Sequence, residues 1–125
     1  MPGHAFRAAV ESGDIEAAVA LLADDVTFRS PAVFKPYEGR ETVSTILRTV
    51  YGVFEDFHYT DELAGEGVHA LIFETRVGEK QVQGMDLIRA DANGRIGEFT
   101  VMVRPASGLM ALAERMGPAL QAAGV

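Results

Sequence analysis

Residues 13–31, GDIEAAVALLADDVTFRSP, carry a short amphipathic helix through an acidic turn into a strand. Gly13 stops the apolar stripe of Phe6, Ala9 and Val10 that precedes it, and Asp14 stands where a side-chain acceptor caps the next helix. Ile15, Ala18, Val19 and Leu22 then recur at helical spacing. Asp24 and Asp25 are expected to turn the chain into a strand over 26–30. Pro31 ends that strand, because proline has no N–H to give to a ladder. Helix passing directly into strand is the order of a small α+β domain.

Downstream, residues 32–39 (AVFKPYEG) form an irregular loop with the apolar load of Val33, Phe34, Pro36 and Tyr37. Val43, Ile46, Leu47, Val50 and Phe54 then share one helical stripe, which predicts a long helix over 40–54. From Asp56 the period becomes two: Phe57, Tyr59, Asp61 and Leu63 alternate with His58, Thr60 and Glu62. Strands over 69–77 and 80–90 meet at a tight Gly78-Glu79 turn, and Asn93-Gly94 marks a second hairpin into a strand over 95–104. Pro105 breaks that strand. Ser107 is placed to cap a last helix whose Leu109, Leu112, Ala113, Met116 and Leu120 share a face, and Gly117-Pro118 should interrupt or kink it. The order is ααβαββββα, with no repeat or linker.

The chain has 125 residues, enough for one domain with a real core and too few for two. Its apolar content of 48% fits a globular protein, and no apolar run approaches the ~20 residues of a membrane span. Glu11 and Asp14 interrupt the N-terminal apolar segment, so no signal peptide is read there and a cytoplasmic location is expected. Without cysteine there is no disulfide, thiol nucleophile or thiolate metal site. The net charge of −7 and the scattered basic residues argue against nucleic acid. His4, His58 and His69 lack metal-ligand spacing, so no metal is expected.

The Gly78-Glu79 turn fixes a register in which Thr75 faces Val82, Phe73 faces Gly84 and Leu71 faces Asp86. One sheet face then carries Leu71, Phe73, Thr75, Val82, Gly84, Asp86 and Ile88, apolar except for a threonine and a carboxyl. If this face lines a cavity, desolvation raises the Asp86 pKa and favours the neutral acid, a donor to a substrate carbonyl. Otherwise Asp86 is a structural carboxyl bonded to backbone or tyrosine. His69 pairs with Ile88, one diagonal step from Asp86, so the two could form a general-base dyad. Its place beside Gly67 favours instead a solvated strand end. Ser30 and Tyr37 offer hydroxyls, though Ser30 has no base partner and Tyr37 belongs to a loop that either closes over a pocket or plugs the core. Phe6, Phe28, Phe57, Tyr59, Phe73 and Phe99 are mostly core residues, two or three of which should also wall a cavity.

The element order and three segments, GDIEAAVALLADDVTF at 13–28, EGRETV at 38–43 and MDLIRADANGRI at 85–96, resemble the nuclear transport factor 2-like superfamily, which includes ketosteroid isomerases and SnoaL-type polyketide cyclases. The resemblance implies a curved, mostly antiparallel sheet wrapped around helices as a cystatin-like α+β barrel with a cone-shaped pocket. The isomerase site, carried over position by position, puts the general base on Ser30, a catalytic tyrosine on Phe6 and a supporting tyrosine on Leu47. Its oxyanion-hole acid falls on Asp86, a residue type known in such isomerases as a carboxyl held protonated. The expected function is a small-molecule-binding domain, either a cofactor-independent isomerase, cyclase or hydratase acting on an apolar carbonyl compound or a non-catalytic carrier. The expected catalytic residues are Asp86, His69 and Ser30. The expected pocket is Phe6, Phe28, Tyr37, Leu47, Phe57, Tyr59, Leu71, Phe73 and Phe99. The opposite sheet face, with Ala70, Ile72, Met85, Leu87, Thr100 and Met102, is apolar too and predicts a homodimer unless the last helix covers it.

Overall fold

Gly13, at φ 77°, breaks the N-terminal helix where an L side chain would be strained, and the Asp14 carboxylate accepts the Ala17 N–H at 3.0 Å to start the next. The computed structural model describes residues 2–125. It contains α1 (Pro2–Glu11), α2 (Ile15–Val19), β1 (Leu22–Arg29), β2 (Tyr37–Glu38), α3 (Arg40–Val53), β3 (Glu55–Gly65), β4 (Val68–Val77), β5 (Lys80–Ala90), β6 (Ile96–Arg104) and α4 (Ala106–Ala122).

Local details differ from the sequence reading. Leu22 belongs to β1, where it pairs with Ile96 and is fully buried. The register slips between Leu22 and Thr27, and this irregularity lets the exposed Asp24 and Asp25 sit within the strand instead of turning the chain. Residues 37–38 are a short strand, with Phe28 opposite Tyr37. In α4 the helix begins at Ala106 behind Pro105, so Ser107 is not its cap, and the helix continues through Pro118.

The sheet runs β2-β1-β6-β5-β4-β3, with β1 and β6 parallel and the other pairs antiparallel. It is curved but unclosed: β2 and β3 remain edges, so the architecture is an open cone, not a closed barrel. The β4–β5 register places Thr75 against Val82, Phe73 against Gly84, Leu71 against Asp86 and His69 against Ile88. On β6, Val101 faces Asp86 and Phe99 faces Ile88.

α3 buries Val43, Ile46 and Leu47 in the core that also holds Phe6, Val26, Phe28, Leu71, Phe73, Ile88 and Phe99. α4 packs on the same side, Leu112 against Val77 and Val82. The outer sheet face is therefore not covered by α4. There Ala70, Ile72, Met85, Leu87 and Thr100 are half-buried and Met102 is 50% exposed. No helix among the described residues is long and apolar enough to cross a membrane.

Along β3 the register slips once more. Tyr59 faces Phe73, but the next residue of β4, Ile72, is met by Asp61, and Leu71 by Glu62. A β-bulge at Thr60 thus reverses the parity of the strand. Glu62, not Asp61, continues on the inward side, and Asp61 is exposed.

Candidate functional site

A cavity of about 220 Å³ opens between the concave sheet face, α3 and α4. β1 contributes Phe28, β2 Tyr37, β4 Phe73, β5 Asp86, and β6 Phe99 and Val101. α3 supplies Ile46, Leu47, Val50 and Tyr51, with Phe54 just beyond it, and α4 roofs the space with Leu109, Leu112, Ala113, Met116, Gly117 and Leu120. Ser30, Pro31, Ala32 and Val33 also line it. The wall is apolar apart from Ser30, Tyr37, Tyr51 and Asp86; among the described residues no lysine, arginine or histidine lines it.

Asp86 reaches this cavity because it occupies an inward position of a central strand, between Leu71 on one side and Val101 on the other. It is 2% exposed, and its Oδ2 has no hydrogen-bond partner among the described residues. Burial pushes its pKa up to about 8, since nothing nearby repays the loss of hydration of the anion. Near neutral pH the carboxyl is therefore mostly the neutral acid, and an acid can donate.

The phenols beside it behave alike. Burial, then the Asp86 charge, raises both Tyr51 and Tyr59, and the two hydroxyls also act on each other. They stop short of a hydrogen bond: the buried Tyr59 Oη has no partner among the described residues. Tyr51 packs edge-on to Phe57 at 5.3 Å, and Tyr59 meets the same ring edge-on at 4.9 Å. Tyr59 does not line the cavity; its ring lies under the Arg7 guanidinium, 5.4 Å from the centroid.

His69 is not a solvated strand end. It is 3% exposed and wedged against Gly3 of α1, where a Cβ would lie 2.6 Å from the His69 Cβ. Its Nε2–H donates to Glu62 Oε2 at 2.8 Å, and Glu62 also accepts from Arg7 at 2.9 Å and pairs with His4 at 3.2 Å. Burial alone would raise the Glu62 pKa, but the hydrogen bonds of His4, His69 and Arg7 outweigh it and hold the carboxylate at about 2. This cluster pins α1 onto β3 and β4. It lies outside the cavity, and no Asp86–His69 dyad forms: diagonal neighbours on one face, they send their side chains to different places.

Ser30, half-buried just after β1, lines the cavity, and its Oγ accepts the Ala32 N–H at 3.0 Å in a local turn. The cavity brings Ser30, Asp86, Phe28, Tyr37, Leu47, Phe73 and Phe99 together. Phe6, Leu71, Phe57 and Tyr59 stand behind its wall: Phe6 is fully buried, edge-on to Phe99 at 5.1 Å, and Leu71 is core. Tyr51 and the roof from α4 are the residues that sequence reasoning missed. The apolar face of α4 was legible; what it faces was not.

The curved α+β fold places the chain in a known class, and the chain belongs to the SnoaL-like domain family, whose model matches residues 4–99. The chain is similar to a steroid delta-isomerase from Pseudomonas aeruginosa, with 47% identity over 93% of this chain and 86% of that one and a TM-score of 0.87. It is also similar to an uncharacterized protein conserved in bacteria, with a cystatin-like fold, from Silicibacter pomeroyi DSS-3, at 35% identity over 92% and 82% of the two chains and a TM-score of 0.86. An NTF2-like protein of unknown function from Cytophaga hutchinsonii ATCC 33406 shares the fold at 20% identity, covering 82% of this chain and 87% of that one with a TM-score of 0.64. No curated protein sequence matches the chain.

Proposed function

We propose that this chain, acting in the cytoplasm, binds a small apolar carbonyl compound in the cavity and polarises its oxygen through Asp86. The observation that carries this reading is the buried, unpartnered Oδ2 of Asp86 in an apolar cavity. A buried polar atom left open in a folded protein calls for an explanation, and a ligand oxygen supplies one. The neutral carboxyl donates a hydrogen bond to the carbonyl and stabilises the negative charge that develops there as an adjacent carbon loses its proton. Likeness to a protein called a steroid delta-isomerase supports isomerisation as the reaction class. A water held at Ser30 is the remaining carrier for the proton, since His69 is turned away. At about 220 Å³ the space exceeds the ~150 Å³ cavity that admits one benzene ring, which favours ligands of one or two rings.

The test compares one- and two-ring β,γ-unsaturated ketones with the matching hydrocarbons on wild type and Asp86→Ala. Asp86→Ala should weaken ketone binding about tenfold relative to the hydrocarbon and lower turnover by about a hundredfold or more. Ketone binding should also fade as pH rises through about 8, where Asp86 ionises. Equal ketone preference in the two proteins would overturn the reading. A second reading, a carrier without catalysis, is favoured by the lack of any carboxylate or imidazole besides Asp86 among the described cavity residues; Asp86-dependent binding without turnover selects it. The outer face around Met102 is proposed as the contact of a homodimer, because an apolar sheet face needs cover.

A further inference from the structure

α4 lies beyond residues 4–99, the part of the chain that matches the SnoaL-like domain. Of the described residues that line the cavity, four are exposed: Ala32 and Val33 in the loop after β1, and Ala113 and Gly117 on α4. The cavity therefore opens where this loop meets one flank of α4. Leu112 anchors the opposite flank against Val77 and Val82, whereas Met110, Ala113 and Gly117, three and then four residues apart, share the open one. The surface stays apolar past the mouth: Val33 is 47% exposed, Met110 is 63% exposed, and Phe34, next to Val33, is fully exposed. We propose that the ligand of this cavity carries an apolar chain, which leaves between Val33 and the Ala113–Gly117 flank and lies along this rim.

Asp86, read as the acid that takes the ligand oxygen, fixes which end of the ligand meets the mouth, and the assignment rests on that reading. Its carboxyl is buried, so a carbonyl bound there turns the far end of its ligand toward the opening. The side chains at the mouth are those of alanine and valine, beside a glycine, with no charge and no hydrogen-bonding group. What passes between them without loss is hydrocarbon, since a carboxylate or hydroxyl would surrender its water there for nothing in return. Gly117 leaves the passage wide: nothing stands within 4 Å of where its Cβ would be. Single apolar side chains on a surface are ordinary, but exposed valine, phenylalanine and methionine continuous with an apolar cavity mark a ligand surface. The substrate class is a ring ketone that bears an alkyl chain of several carbons on the side away from its carbonyl.

4′-Alkylacetophenones from methyl to hexyl test this, with 1-ethyl-4-alkylbenzenes, which lack the oxygen, as the control series. Calorimetric titration of the full chain gives the dissociation constants. Affinity should rise along the ketone series, about fourfold per methylene where the chain lies on the rim. The double variant Phe34→Ser, Met110→Ser, changed only at exposed positions, should flatten the rise from butyl to hexyl. Ala113→Trp, which fills the mouth, should weaken the hexyl ketone about tenfold more than the methyl ketone. Affinity that peaks at a short chain and then falls, or a rise that both variants leave intact, overturns the proposal, because the cavity then encloses its whole ligand. The two series separate this idea from the role of Asp86. An equal rise in ketones and hydrocarbons, with no preference between them, keeps the chain route and removes the carbonyl reading. A ketone preference that Asp86→Ala abolishes, without any rise along the chain, does the reverse. Binding of no member removes both.

Discussion

Asp86→Asn should stabilise the fold near neutral pH and do so in a pH-dependent way. The unfolded chain ionises this carboxyl at about 3.8, whereas the folded chain holds it protonated up to about 8. Between those values the folded state binds one more proton than the unfolded state, so its stability falls as pH rises across the window. Each pH unit is worth about 1.4 kcal/mol, so near pH 7 keeping this acid neutral costs the fold about 4 kcal/mol relative to a group that never ionises. Asparagine is such a group, with nearly the same shape, but its amide leaves donors unpaired at about 1–3 kcal/mol. The net gain near pH 7 is then about 1–3 kcal/mol, shrinking to nothing or reversing near pH 4. Urea unfolding of both proteins at stepped pH measures it, and taking the difference cancels other titrating groups, including Glu62, whose shift acts below 4.5. A wild type–variant difference that does not change with pH would refute the desolvation argument. A residue that weakens its own fold is an expected mark of a functional site.

Two further predictions concern packing and assembly. Gly84 lies flat under Phe73, and a Cβ there would stand 2.2 Å from the ring's Cζ; Gly84→Ala should therefore destabilise by about 1–3 kcal/mol in thermal unfolding and weaken ketone binding as Phe73 is pushed toward the cavity. Met102→Glu should convert a dimer into a monomer by sedimentation at micromolar concentration while leaving the monomer folded, and a wild type that sediments only as a monomer removes the dimer proposal.

Where the sequence was legible, short-range geometry was decisive. The Gly78-Glu79 turn, with Gly78 at φ 59°, leaves one register for β4 and β5, so the pairing of Leu71 with Asp86 follows from counting. The stripe of α3 was equally readable. Features set by distant parts of the chain were not. The bulge at Thr60 moves Glu62 to the inward side and Asp61 outward, and alternation by itself cannot reveal a slipped residue. His69 is buried because α1, with Gly3, closes over it, a contact between strand and helix that no local pattern encodes. Tyr51 stands at the margin of the Val, Ile, Leu and Phe stripe of α3, and helical spacing does not encode that α4 and the sheet leave a cavity there. The helix cap at Ser107 failed because Pro105 starts α4 earlier.

The parallel pairing of β1 with β6 has a consequence for how the molecule assembles. Phe28 and Phe99 sit side by side in this ladder, yet more than half of the chain lies between them. Every other sheet pairing joins strands adjacent in the chain and can form as each hairpin is completed. Closure of β1 onto β6 must wait for the last strand, which adds a long loop to the search and slows folding relative to the hairpins. During synthesis α1, α2, α3 and β1 therefore emerge with their apolar faces uncovered, held until residues near 100 arrive. Cavity and chaperone-sensitive interval share one origin: the space that receives the ligand is bounded by Phe28, Phe99 and α4, so it comes into being only at the final docking step.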